Sequence, residues 1–188
     1  MTISETTTID NSAASRRSFP LQGTMLFELV NNPEFKQSFH ARLQASNRFF
    51  VFFYKIYLLP LIGMGKQIMV LSTRGRTSHK VRDFPIGYFL IDGTVHIFSG
   101  WGRGTNWYKN IMANPNDVYL QVGFRRFHAT PEVVEDPAEL RKTIERFIIC
   151  CPKGAQQLIG WDPEQDSLET ADFSMMMENV LVVKFHDS

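Results

Sequence analysis

The chain has 188 residues, 44% of them hydrophobic and 21% charged, with a formal net charge of +1. That length suits one domain with a real core, the composition excludes wholesale disorder, and the near-neutral balance gives no overall electrostatic case for nucleic acid. The only cysteines, Cys150 and Cys151, are adjacent. Neighbours do not readily meet disulfide geometry, and no C-x-x-C spacing exists for a metal or redox pair, so a reducing cytoplasm is expected.

The chain opens with a Thr- and Ser-rich stretch that lacks the apolar centre of a signal peptide, and residues 1–20 are expected to form a disordered tail. Residues 21–65 read as a helical segment and 66–188 as a sheet domain. Asn32-Pro33 predicts a helix start, with Asn as cap and Pro in the first turn, running to about Ala45. Ser46 or Asn47 is expected to cap a second helix, Arg48 to Leu59, stopped by Pro60 and Gly63. This second segment is very apolar (Phe49-Phe-Val-Phe-Phe-Tyr) and interrupted by Lys55. It is shorter than the roughly 20 residues of a spanning helix. Two readings stand: a helix packed on the sheet or at a dimer interface, or an interfacial helix (49–62) in peripheral contact with a membrane or covering a hydrophobic substrate.

From Gln67 the pattern becomes that of strands. Ile68 to Ser72 is continuously apolar; Phe84 to Ile91 pairs with Thr94 to Ser99 through Asp92-Gly93, a strong hairpin signal. Asn106 to Ala113 predicts a helix with Trp107 and Ile111 inward, ended by Asn114-Pro115. A second hairpin, Val118 to Val122 and Phe124 to Val134, turns at Gly123-Phe124. Asp136-Pro137 caps a helix to about Ile149, a short amphipathic piece (155–159) follows, and Asn179 to Phe185 closes the chain as a strand. Hairpins dominate and βαβ units are missing, so the fold class is mainly β with flanking helices, a small closed or split β-barrel.

Two polar turns stand out. Arg74 to Arg82 gathers four basic residues with Thr77 and Ser78 between apolar strands; it is either a solvated turn or an anion grip. Ser99 to Gly104 is glycine-rich, follows a strand and precedes a helix, so its backbone can approach a ligand closely. It is not a dinucleotide fingerprint: Thr105 takes the third glycine position, and the strand before it belongs to a hairpin. The five histidines are scattered without metal-ligand spacing, and His96, inside a strand, reads as packed.

In order and spacing, Thr73-Arg-Gly75-Arg76-Thr-Ser78-His79-Lys80-Val-Arg82-Asp-Phe-Pro85 and Trp107-Tyr108-Lys-Asn110-Ile-Met-Ala113-Asn114-Pro115 closely resemble the deazaflavin-dependent nitroreductase family. These are small split β-barrel proteins related to the pyridoxamine-phosphate oxidase-like flavin binders. The resemblance implies an oxidoreductase that passes a hydride between the deazaflavin coenzyme F420 and a small hydrophobic, nitroaromatic or quinone-like acceptor. Arg76, Thr77, Ser78, Lys80 and Arg82 would then hold the phosphate and glutamate tail. Pro85, Ser99, Gly100, Trp101 and Gly102 would line the ring, and Trp107 and Asn110 would brace the pocket, Asn110 by bonding the loop backbone. Tyr88 and Tyr108 are candidates for supplying a proton. FMN on the same frame, or a non-catalytic carrier of a flavin, haem or lipid-like ligand, are the alternatives, with the protein a monomer or homodimer. Two departures show: His79 stands where the family has glycine, and Phe147 to Gly154 contains no tyrosine where its best-known members are tyrosine-rich.

Overall fold

The computed structural model describes residues 17–63, 66 and 68–188, with main chain alone at 40–46. The expected boundary between helical segment and sheet domain falls beside residues 64, 65 and 67, outside the described set, as does Gln67 itself. Most of the expected tail, residues 1–16, also lies outside it. The part that is described is not a tail. Phe19 is buried, its ring 5.1 Å from Trp161 and 5.8 Å from Phe173, and its N–H donates to the Asp172 carbonyl at 2.8 Å. Burying a side chain of that size contributes about 2 kcal/mol, enough to offset ordering one or two residues.

Among the described residues, three helices precede the sheet: α1 (Met25–Asn31), α2 (Pro33–Lys55) and α3 (Leu58–Leu61). The α2 cap is as read from the sequence, since Asn32 Oδ1 accepts the Phe35 N–H at 3.0 Å. The break expected at Ser46 or Asn47 does not occur. An interior Ser or Asn costs only about half a kcal/mol of helix propensity, and no Gly or Pro stands nearby to stop the helix. α2 ends instead at Ile56, where Tyr57 takes the left-handed φ of +65°.

The seven strands among the described residues are β1 (Ile68–Arg74), β2 (Val81–Gly87), β3 (Phe89–Ile91), β4 (Thr94–Ser99), β5 (Val118–Val122), β6 (Arg125–Val133) and β7 (Leu181–Asp187). They form one antiparallel sheet in the order β2-β1-β5-β6-β7-β4-β3. The strand expected from Phe84 to Ile91 is two strands. It changes partner at Tyr88, with β2 on β1 before it and β3 on β4 after it. β6 does the same within one strand: 125–128 pair with β5 and 129–133 with β7. Two partner changes curl the sheet into a half-barrel. The β3–β4 hairpin turns at Asp92 and Gly93, both with positive φ, as the Asp-Gly pair predicts.

The curl separates two cores. On the concave side Met69 and Leu71 of β1, Val95 and Ile97 of β4, and Val183 and Phe185 of β7 pack on Trp107, Tyr108 and Ile111 of α4 (Asn106–Ala113). On the convex side α5 (Pro137–Cys150), α6 (Pro152–Ile159) and α7 (Ser174–Asn179) bury Phe147, Ile144, Ile159 and Met176 with Phe19 and Trp161. Asp136 caps α5 by accepting the Glu139 N–H at 2.8 Å, and Pro152 both ends α5 and opens α6. The rest of the convex face, Val70 and Ser72 on β1, lies under the end of α2. Lys55 reaches Asp83 at 2.6 Å, and Asp83 accepts the Ser72 hydroxyl at 2.6 Å.

Candidate functional site

The basic turn closes on itself. The Gly75 N–H donates to the Lys80 carbonyl at 2.9 Å and the His79 N–H to the Gly75 carbonyl at 2.8 Å. A side chain at Gly75 would meet Ser78 Oγ at 2.7 Å and the Lys80 carbonyl at 3.3 Å, so the turn needs glycine for its own compactness. His79, which replaces the family glycine, keeps the glycine conformation at φ +53°; a non-glycine residue pays about 1 kcal/mol for it. Arg74 ties the base of the turn to α4's trailing loop, through Asp117 at 2.6 Å and the His79 carbonyl at 3.1 Å. Arg76, Thr77, Ser78, Lys80 and Arg82 are all exposed, with Arg82 donating to Ser78 Oγ at 3.5 Å. Pro85 sits on β2, an edge strand, where a residue without an N–H is tolerated.

Helix α4 joins this turn to the other one. Asn110, buried, accepts the Arg76 N–H at 3.2 Å and donates to Thr73 Oγ1 at 3.4 Å; the Arg76 guanidinium reaches Asn106 at 3.3 Å and Asn110 at 3.4 Å. Asn114 adds a bond to the Arg74 carbonyl at 3.3 Å. Two asparagines of α4 and the one that caps its end therefore hold the basic turn along this helix, and the glycine turn runs directly into its start.

The glycine turn leaves the end of β4 at Ser99 and passes through a short 3-10 segment (Gly102–Gly104) before Thr105 opens α4. Its glycines serve different ends. A Cβ at Gly100 would lie 3.0 Å from Leu29 Cβ and 3.1 Å from Leu26 Cδ1, so the absence of a side chain here admits α1. Gly102 has φ +60°, which favours glycine outright, and open space surrounds the positions a Cβ would take at Gly102 and Gly104. Trp101 stacks on Phe39 of α2 (5.6 Å, 20°), and Phe39 on Phe35 (5.7 Å, 9°). Sequence reasoning missed these two phenylalanines; their i, i+4 spacing beside Pro33 was the available signal.

Among the described residues, three buried side-chain polar atoms have no hydrogen-bond partner: Ser99 Oγ, Trp101 Nε1 and Thr105 Oγ1. All three belong to this turn. Thr105 is the N-cap residue of α4, yet it makes no cap bond. Leaving such a group unpaired costs about 1–3 kcal/mol, so three in seven residues mark a place suited to a polar ligand.

Tyr88 and Tyr108 both lie in the concave core. Burial, with the nearby Tyr54 hydroxyl second, pushes Tyr88 up to about 12. The Tyr108 hydroxyl stands against the Arg103 guanidinium, whose own affinity for its proton is raised first by Glu135 at 2.9 Å. Trp107 meets Tyr108 edge-on at 6.1 Å. His96 is packed, as expected, on the convex side of β4; burial holds its basicity below the usual histidine value.

The F420H(2)-dependent quinone reductase family model matches residues 60–150, which span both turns, α4 and most of the sheet. Among solved structures, the chain is similar to an F420-H2 dependent reductase, FDR-A (20% identity, 64% of this chain and 95% of that one, TM-score 0.44). It is also similar to a chain described as a domain-swapped dimer (21%, 64% and 81%, TM-score 0.42). A third is a candidate pyridoxamine 5'-phosphate oxidase from Listeria innocua (15%, 71% and 91%, TM-score 0.42). None of the curated proteins matches this chain. Through residues 60–150, the stretch that carries both turns, the chain is similar to the family of F420H(2)-dependent quinone reductases.

Proposed function

We propose that the protein, on a split β-barrel frame, binds the deazaflavin coenzyme F420 between its two turns and passes a hydride between it and a small planar acceptor of the quinone or nitroaromatic kind. The observation that carries this reading is the placing of three unpartnered polar atoms in the glycine turn, next to a turn of exposed cations to which Asn110 ties it. One end offers hydroxyl and indole groups for a heteroaromatic ring. The other offers guanidinium and ammonium groups for an anionic tail.

In this reading Arg76, Lys80 and Arg82, with the hydroxyls of Thr77 and Ser78, hold the tail. Ser99, Trp101 and Thr105 meet the polar edge of the ring, Gly102 lets the backbone come close, and Pro85 lines the approach from β2. Gly100 contributes backbone only, because α1 occupies its side. Trp101 offers its N–H rather than its face, since Phe39 covers that face. The bound deazaflavin supplies the two-electron chemistry. The protein orients the ring, and the α2 aromatics shield it from water while giving a planar acceptor something to stack on. Tyr108 is the better placed of the two tyrosines to handle a proton, because it adjoins the glycine turn and faces a cation. Tyr88, at about 12, holds its proton too tightly near neutral pH.

Titration with oxidised F420 and, separately, with FMN tests the proposal, followed by tryptophan and cofactor fluorescence. Micromolar binding of F420 that weakens roughly tenfold in Trp101→Phe, which keeps the ring and removes the N–H, is the expected result. Preference for FMN, or no binding of either, overturns it.

A further inference from the structure

A helix lying on a sheet normally turns its apolar stripe toward that sheet. The second half of α2 carries an additional stripe facing away. Phe49, Phe52, Phe53 and Ile56, at i, i+3, i+4 and i+7, are all exposed, Phe49 at 72%. The opposite side is already anchored. Tyr54 is fully buried, donating its hydroxyl proton to the Ile68 carbonyl at 2.8 Å and accepting the Gly123 N–H at 2.9 Å. The stripe continues into α3 with Leu61 and Ile62, exposed at 72% and 68%. It reaches the β5–β6 turn, where Phe124, 63% exposed, stacks on Tyr57 at 5.8 Å. Eight of the fifteen exposed large apolar side chains among the described residues fall between Phe49 and Ile62, so this is one surface rather than scatter.

The charge nearest it in sequence is positive. Of the nine lysines and arginines between Glu34 and Asp83, Lys55 is paired with Asp83, and Arg74, Arg76, Lys80 and Arg82 belong to the basic turn. Arg48, Lys66 and Arg126, each exposed, stand beside the apolar side chains in sequence. A second copy of the chain related by a two-fold axis would bring this cationic stretch against its own image, which is repulsive. An anionic lipid surface complements it. No helix among the described residues is long and apolar enough to cross a membrane.

We propose that the face formed by α2 from Phe49 onward, α3 and the Phe124 turn docks on the surface of an anionic bilayer. Its phenylalanines enter the boundary between headgroups and acyl chains, and its lysines and arginines meet the lipid phosphates. The sheet and both turns then stand above the bilayer, with α2 running from the lipid surface to the Phe39–Trp101 stack.

Flotation of the full chain with vesicles tests this without reference to the cofactor. The wild type is expected to float with phosphatidylcholine vesicles containing about one third phosphatidylglycerol, weakly with phosphatidylcholine alone, and less as salt rises. Phe49→Ser/Phe52→Ser/Ile56→Ser should lower vesicle binding about tenfold or more while leaving the denaturation midpoint unchanged, since all three side chains are exposed. Arg48→Glu/Lys66→Glu should abolish the preference for the anionic vesicles. Wild type that stays with the pellet, or a triple variant that floats as well as wild type, overturns the proposal. So does a concentration-dependent dimer, lost in the triple variant, without flotation: the occupant is then a second copy.

Discussion

The turns at 75–80 and 99–105 sit side by side and are built on opposite terms. The basic turn is closed by its own backbone and tied to α4 through Arg76, with its charged ends and hydroxyls exposed. The glycine turn leaves three buried polar atoms without a partner. A self-satisfied turn is rigid without a ligand and can present charge to one; a turn with orphaned groups gains most of its order when a ligand supplies what is missing. In the proposed reading the difference is that between a preformed grip and a half-built socket, and Asn110 ties the basic turn to the helix that the glycine turn opens.

The largest effect should come from cutting that link. Asn110→Leu removes the acceptor for the Arg76 N–H and strands a donor that is part-buried. A loss of about 2–3 kcal/mol in denaturant stability is expected, together with at least roughly tenfold weaker F420 binding. Unchanged affinity in a folded variant would mean that the turns do not act together. Gly100→Ala probes the socket from behind, since its new methyl would meet Leu26 and Leu29. Overpacking there should cost about 1–3 kcal/mol and displace α1, visible as a lower midpoint; a variant as stable as wild type shows that α1 gives way freely.

Charge removal sharpens the other side of the comparison. Arg76→Ala and Lys80→Ala should each weaken F420 binding several-fold, with a flatter salt dependence, and leave the fold intact. Acid should act on the frame rather than on the turns. Burial depresses His96, with Lys184 and His186 opposing its charge and the Thr94 carbonyl and Asp92 favouring it. The unfolded chain therefore takes up the proton first, and stability declines as pH falls below 6.5, the ordinary histidine value. Glu132 and Asp92, held below the usual carboxylate range by Lys184 and Arg146 respectively, add a second loss as pH falls further through their depressed values. His96→Gln should remove the upper limb of the pH profile and spare the lower one. The smallest effect belongs to His79→Gly, which relieves a left-handed histidine and should raise stability by up to about 1 kcal/mol.

Much of the architecture was legible because local chemistry dictates it. Asn32-Pro33, Asp92-Gly93, Gly123-Phe124 and Asp136-Pro137 each fix a cap or turn through a few dihedrals, and each stands where it was expected. The partner changes at Tyr88 and along β6 were not legible, since they answer to the curl of the whole sheet. Nor was the docking of Phe19, which depends on Trp161 and Phe173 far along the chain. At the site, the bond from Asn110 to the loop backbone was expected from the motif and is present. The packing of α1 against Gly100 was not legible, because glycine permits close approach without saying whose, and the three orphaned atoms cannot be seen until the packing that buries them is known.

Calorimetric titration of oxidised F420 into the wild type, Asn110→Leu and Trp101→Phe proteins tests the central claim most directly. A micromolar site in the wild type, weakened about tenfold by either substitution, is what two turns gripping one molecule require. Wild-type affinity retained in both variants, or no heat in any of the three, contradicts it.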